Sequence, residues 1–225
     1  MILVLASERD PGAAALVAGW AGARLLTPAD LSLAGWSLGQ EPGRGIADGE
    51  PFADDRVRCL VSLLAGVEAG DLTWIAEEHR AYVATEMTSF LGHWLETLDG
   101  RCLVAPSHAG LAGPCPPTAA WAAAADLPMT GGEEPIAPAV VTVVGDEVFR
   151  VAGEGPEPSL EVRRRLARMA IAHAAPLLSA IVDLGGGTAL PRLHAVLPAP
   201  LVRTEPVRHA IRALVGRLVG EEAAS

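Results

Sequence analysis

The sequence has no lysine; all 17 basic residues of the 225 are arginine. Such a chain can form no Schiff base, has no lysine nucleophile and cannot hold a phosphate with a lysine ammonium. Cysteine is scarce. Cys59, Cys102 and Cys115 are an odd set with no C-x-x-C spacing, which reads as reduced, buried thiols in a cytoplasmic protein. Long apolar runs are missing too: each is too short, or too broken by Pro and Gly, to span a bilayer. The opening MILVLAS turns polar at Ser7 and has no basic flank, so no secretory signal is expected. Basic charge is in deficit. A net charge of −10 argues against a nucleic-acid or anionic-membrane partner. No G-x-G-x-x-G follows a strand, so a dinucleotide fingerprint is unsupported.

What remains describes a folded protein. Residues are 50% hydrophobic and 20% charged, and the length suits one large or two small domains. Ile2–Ala6 is a continuous apolar run, as in a strand covered on both faces; a helix over Ala13–Gly22 and a short strand over Arg24–Leu26 follow. This β-α-β opening predicts a parallel, doubly wound sheet with ligands near the Ser7–Arg9–Asp10 loop. Leu33–Leu38 and Gly45–Phe52 read as a hairpin-like excursion and Val57–Leu64 as a central strand. Apolar residues from Trp74 to Leu98 recur at three and four, predicting a long helix over Leu72–Leu98.

The stretch Leu103–Arg150 organises the rest. A strand over Cys102–Ala105 enters a Gly/Pro-rich loop, then an alanine-rich helix over Thr118–Asp126, then Leu-Pro-Met-Thr and a short linker. Val140–Val144 and Glu147–Val151 form a hairpin about Gly145–Asp146. A helix capped by Ser159 runs to about Leu178; strands follow over Ala180–Leu184 and Leu193–Leu197, and Thr204 caps a last helix to Gly220. The second half is therefore α+β. The expected divisions are 1–115 (parallel α/β domain), 116–138 (helix and linker) and 139–225 (α+β lobe).

The helix ending in Leu127-Pro-Met-Thr130 and the VTVVGDEVFR hairpin resemble those of the ATP-grasp superfamily, in particular ligases that modify peptides and other natural products. So does the order of strands and helices around them. The resemblance implies a parallel domain ahead of an ATP-grasp-like lobe. It also implies a lysine-bearing nucleotide lobe after the Leu-Pro-x-Thr helix, and a final strand pair whose acids hold magnesium. This sequence departs from both. Only Gly131 to Ala139 separates Thr130 from the hairpin, too little for a strand pair. The first metal acid survives as Asp183, but the second strand reads His194-Ala-Val-Leu-Pro-Ala-Pro where a glu-x-asn-pro pattern belongs. One carboxylate without a lysine is a poor magnesium–ATP set, so no cofactor is expected.

Candidate chemistry lies elsewhere. On the long helix, His79, Tyr82 and Glu86 share a face, as do Glu86, Ser89 and His93. A Glu–His pair facing a cleft suits general acid–base work, and Glu86, within an apolar stripe, is expected near the sheet; a solvated face is the plainer account. His108 lies in a glycine-containing loop past a strand end, where a ligand or the Cys115 thiol would find it, or where a simple turn would do. His173 and His194 could make a metal site with Asp183 but read more simply as structural, and Arg163-Arg164-Arg165 with Arg168 as an anion site or a solvated face. The five tryptophans read as packing.

Two functions follow. One is an ATP-independent or remnant enzyme of natural-product or peptide (RiPP) biosynthesis, using a cleft between the lobes. The other is a non-catalytic binding or assembly partner, alone or as a homodimer. An ATP-dependent carboxylate–amine ligase with an altered site is a third reading. The expected partner is a small molecule or a peptide.

Overall fold

The computed structural model describes residues 1–39, 42–131, 135, 137–153, 156–185 and 191–220. They fall into two compact units, Met1–Gly113 and Pro114–Ser225.

In the first unit β1 (Ile2–Leu5) is buried along its whole length. Asp10 then caps α1 (Pro11–Ala18): its carboxylate accepts from Gly12 N at 2.8 Å and Ala13 N at 3.3 Å, and Pro11 supplies a preset φ. The chain returns as β2 (Ala23–Leu26), parallel to β1. β3 (Arg44–Ala47) and β4 (Glu50–Ala53) form a hairpin about Asp48 and Gly49, both at positive φ. β5 (Cys59–Ser62) completes a parallel sheet in the order β2-β1-β5. α2 (Glu77–Thr97) buries Ala84, Leu91, Trp94 and Leu95, and Trp94 meets Trp36 edge-on at 5.4 Å.

Several expected boundaries move. Leu33–Leu38 is not a strand: a 3₁₀ turn over Asp30–Ser32 precedes it, and only Ser37 bridges to Arg44. The strand expected over Cys102–Ala105 shrinks to a single bridge between Cys102 and Leu60. α2 starts at Glu77, where the Arg80 guanidinium holds the preceding turn by donating to the carbonyls of Ile75 (2.8 Å) and Thr73 (3.2 Å).

In the second unit α3 (Thr118–Ala125) ends at Asp126, which is in the left-handed conformation. β6 (Pro138–Val144) and β7 (Glu147–Gly153) form the expected hairpin. Ser159 Oγ accepts from Val162 N at 3.3 Å and starts α4 (Leu160–Ala172). That helix stops well before Leu178, because Ala174 turns left-handed and Pro176 offers no N–H. β8 (Leu177–Asp183) and β9 (Arg192–Val196) complete an antiparallel sheet in the order β7-β6-β8-β9. The Leu-Pro-Met-Thr segment lies along β9, with Leu193 N donating to Pro128 O at 2.8 Å and Thr130 N to Leu193 O at 3.2 Å. α5 (Glu205–Leu218) closes the unit, and Thr204 precedes it without a side-chain cap bond.

A parallel unit thus precedes an α+β unit, as the sequence implied. No helix among the described residues is long and apolar enough to cross a membrane.

Candidate functional site

Among the described residues, no side-chain hydrogen bond joins Tyr82, Glu86, His93 and His108 into a catalytic cluster. Tyr82, Glu86 and His93 stand exposed on the outer side of α2, and none makes a side-chain hydrogen bond among the described residues. Contrary to expectation, Glu86 therefore does not lie against the sheet. It borders a hollow of about 470 Å³ formed with Leu33, Trp36, Met87 and Phe90. His108 is exposed in the loop that follows the Cys102 bridge. Ser7 and Asp10 are used by the fold itself, Ser7 Oγ donating to Asp71 at 2.6 Å and Asp10 capping α1. Trp74 is not core: it is 42% exposed, and its indole donates to Ser32 Oγ at 3.1 Å.

Asp183 is buried at the end of β8, where one oxygen accepts from Ala137 N and Gly185 N, each at 3.0 Å. The strand register sets Arg192 opposite it, and β9 carries no carboxylate. His173 ends α4, with its ring against Trp121 at 4.1 Å, while His194 Nδ1 and Thr130 Oγ1 lie 2.9 Å apart. Among the described residues no three His, Cys, Asp or Glu side chains come together as a metal site. The His173–His194–Asp183 set is thus not formed. Of the glycine turn after Leu184, Gly186 and Gly187 lie outside the described residues.

Burial by the surrounding apolar chain pushes the Cys59 and Cys102 thiols up to about 11 each, so neither is a nucleophile near neutral pH. Cys115 is exposed.

The most developed feature lies where the sequence showed only arginines. The β6–β7 hairpin and α4 enclose a groove of about 470 Å³. Val148, Phe149 and Ala167 form its apolar floor. Leu160 and Ile171, at either end of α4, project beside it, 64% and 72% exposed. Arg164 and Arg168, one turn apart and both exposed, line one side, and Asp146 and Glu147 of the hairpin turn line the other. Arg163 and Arg165 are already engaged. Arg163 donates to Val148 O and Pro158 O, each at 3.0 Å, and Arg165 to Glu161 at 2.8 Å. That bond, with the nearby guanidinium charges, holds the Glu161 carboxyl below its ordinary range. Arg164 and Arg168 form no ion pair among the described residues. Leu160, Arg164, Ala167, Arg168 and Ile171 recur at three and four, a signal present in the sequence. Whether such a stripe is covered depends on the packing of the unit.

No family model and no curated protein matches the sequence. Solved structures do share its fold. A structure of the macrocyclase MdnC bound with precursor peptide MdnA, from Microcystis aeruginosa MRC, is 11% identical at a TM-score of 0.64, over 99% of this chain and 100% of that one. A Chryseobacterium gregarium RiPP-associated ATP-grasp ligase in complex with ADP and a leader and core peptide is 8% identical at 0.63, over 98% and 97%. The ATP-grasp ligase PsnB, complexed with minimal precursor, Mg and ADP, is 16% identical at 0.59, over 96% and 98%. The chain has the fold of these ATP-grasp ligases.

Proposed function

We propose that this protein is a peptide-binding member of a peptide natural-product pathway, built on an ATP-grasp-like fold without the usual magnesium–ATP site. The groove between the β6–β7 hairpin and α4 carries the reading. Exposed apolar side chains as large as Leu160 and Ile171, beside guanidinium groups that form no ion pair among the described residues, mark a surface that gains from being covered. A peptide presenting apolar residues to the floor and carboxylates to Arg164 and Arg168 fits its chemistry. The fold neighbours that carry precursor, leader or core peptides support the same choice.

Three features weigh against nucleotide chemistry: no lysine in the chain, too few residues between Thr130 and Pro138 for a lobe, and Arg192 facing Asp183 where a second acid would serve magnesium. The enzyme reading has less support, because Glu86 and His108 are exposed and have no side-chain hydrogen-bond partners among the described residues.

Labelled short peptides encoded beside the gene, titrated by fluorescence anisotropy, test the proposal. Binding is expected, and it weakens roughly tenfold or more in Ile171→Asp and in Arg164→Ala/Arg168→Ala, since central interface side chains each supply over about 1 kcal/mol. Equal affinity for wild type and both variants would contradict it.

A further inference from the structure

A separate hollow of about 580 Å³ lies in the first unit, beside the end of α2 and ahead of β3. Gly43, Asp54, Asp55, Thr97 and Arg101 line it, and none takes part in the peptide groove. Arg101 and Asp54 are held in place, while the Asp55 side chain is largely exposed. The Arg101 Nε donates to Leu98 O at 2.7 Å and its NH1 to the carbonyls of Asp54 and Val57. NH2 has no partner among the described residues. The Asp54 Oδ1 accepts from the Trp94 indole at 3.2 Å, while Oδ2 has no such partner among the described residues. A Cβ at Gly43 would stand 2.2 Å from that second oxygen, so the missing side chain is what leaves room for the carboxylate.

A guanidinium edge and two carboxylates therefore line one concavity of ligand size. An anion alone would face the repulsion of Asp54 and Asp55, and a cation alone that of Arg101. We infer that this hollow binds a free α-amino acid, its ammonium on Asp54 and Asp55 and its carboxylate on Arg101. Asp55 Oδ1 also lies 3.9 Å from Arg56 Nε, so acids and guanidiniums balance around the hollow, and amino acids with neutral side chains are favoured over charged ones.

The test uses the full chain in thermal-shift and calorimetric titrations with single amino acids at millimolar concentration, beside their carboxamides and N-acetyl derivatives. At least one neutral amino acid raises the melting temperature, and neither derivative matches it. Asp54→Asn keeps the acceptor for Trp94, and Asp55→Asn changes a largely exposed side chain. Each lowers affinity roughly tenfold or more without moving the unliganded melting temperature, because a charge-assisted hydrogen bond is lost. No shift with any amino acid, equal binding of a carboxamide, or unchanged affinity in Asp54→Asn overturns the inference. The peptide groove lies on other residues, so its titration stands or falls separately.

Discussion

Asp183 shows what one residue's surroundings do to its meaning. Its carboxylate holds two backbone N–H groups where β8 ends, so Asp183→Ala should cost about 2–3 kcal/mol in urea unfolding, the penalty for orphaned buried donors. An unchanged midpoint would contradict that role. The buried thiols make a pH prediction. Their folded values near 11 lie above that of a free thiol, so the unfolded chain loses these protons first. The stability contribution is complete below the free-thiol value and falls as pH rises toward about 11. Cys59→Ser/Cys102→Ser should flatten this alkaline decline in melting temperature measured against pH. Glu86 was misread for a geometric reason. Ala84, Leu91 and Leu95 set the inner face of α2, and two residues past Ala84 the helix has turned about 200° toward solvent. Neighbouring apolar residues in sequence do not share that direction.

Among elements, hairpins were the most legible. The β-branched apolar run Val140–Val144 and the apolar residues after Gly145–Asp146 specify β6 and β7, and Ala180–Val182 are apolar enough for a buried strand. The end of α4 was not legible, because its apolar pattern runs on into β8 and the break comes from Ala174 and Pro176. The strand at Cys102 was over-read for a similar reason: the residues are apolar, yet the chain leaves the sheet after one bridge and meets Pro106, which has no N–H to donate. One turn is more demanding than its sequence suggests. Gly153 ends β7 at φ +98°, and a Cβ there would stand 2.2 Å from Pro138 O. Gly153→Ala should destabilise the protein by about 2 kcal/mol or more, seen as a lower thermal midpoint, whereas Gly131→Ala, in open space, should not.

For the whole molecule, the order of motifs revealed the parallel unit, the α+β unit and the ATP-grasp-like fold, because hydrophobic periodicity and turn chemistry are local signals. The groove was hidden. Leu160 and Ile171 look like core residues until the sheet and helices are assembled and no described residue of the unit covers them. We propose that this ATP-grasp-like fold does not bind nucleotide in the manner its resemblance implies. A thermal-shift titration with ATP and magnesium, with ADP–magnesium and magnesium alone as controls, tests it most directly. A ligand at a hundredfold over its dissociation constant adds about 2.7 kcal/mol, enough to raise the midpoint by roughly 5 °C or more. The account predicts no shift at millimolar ATP. A magnesium-dependent rise of that size would contradict it and return ligase chemistry to the first place.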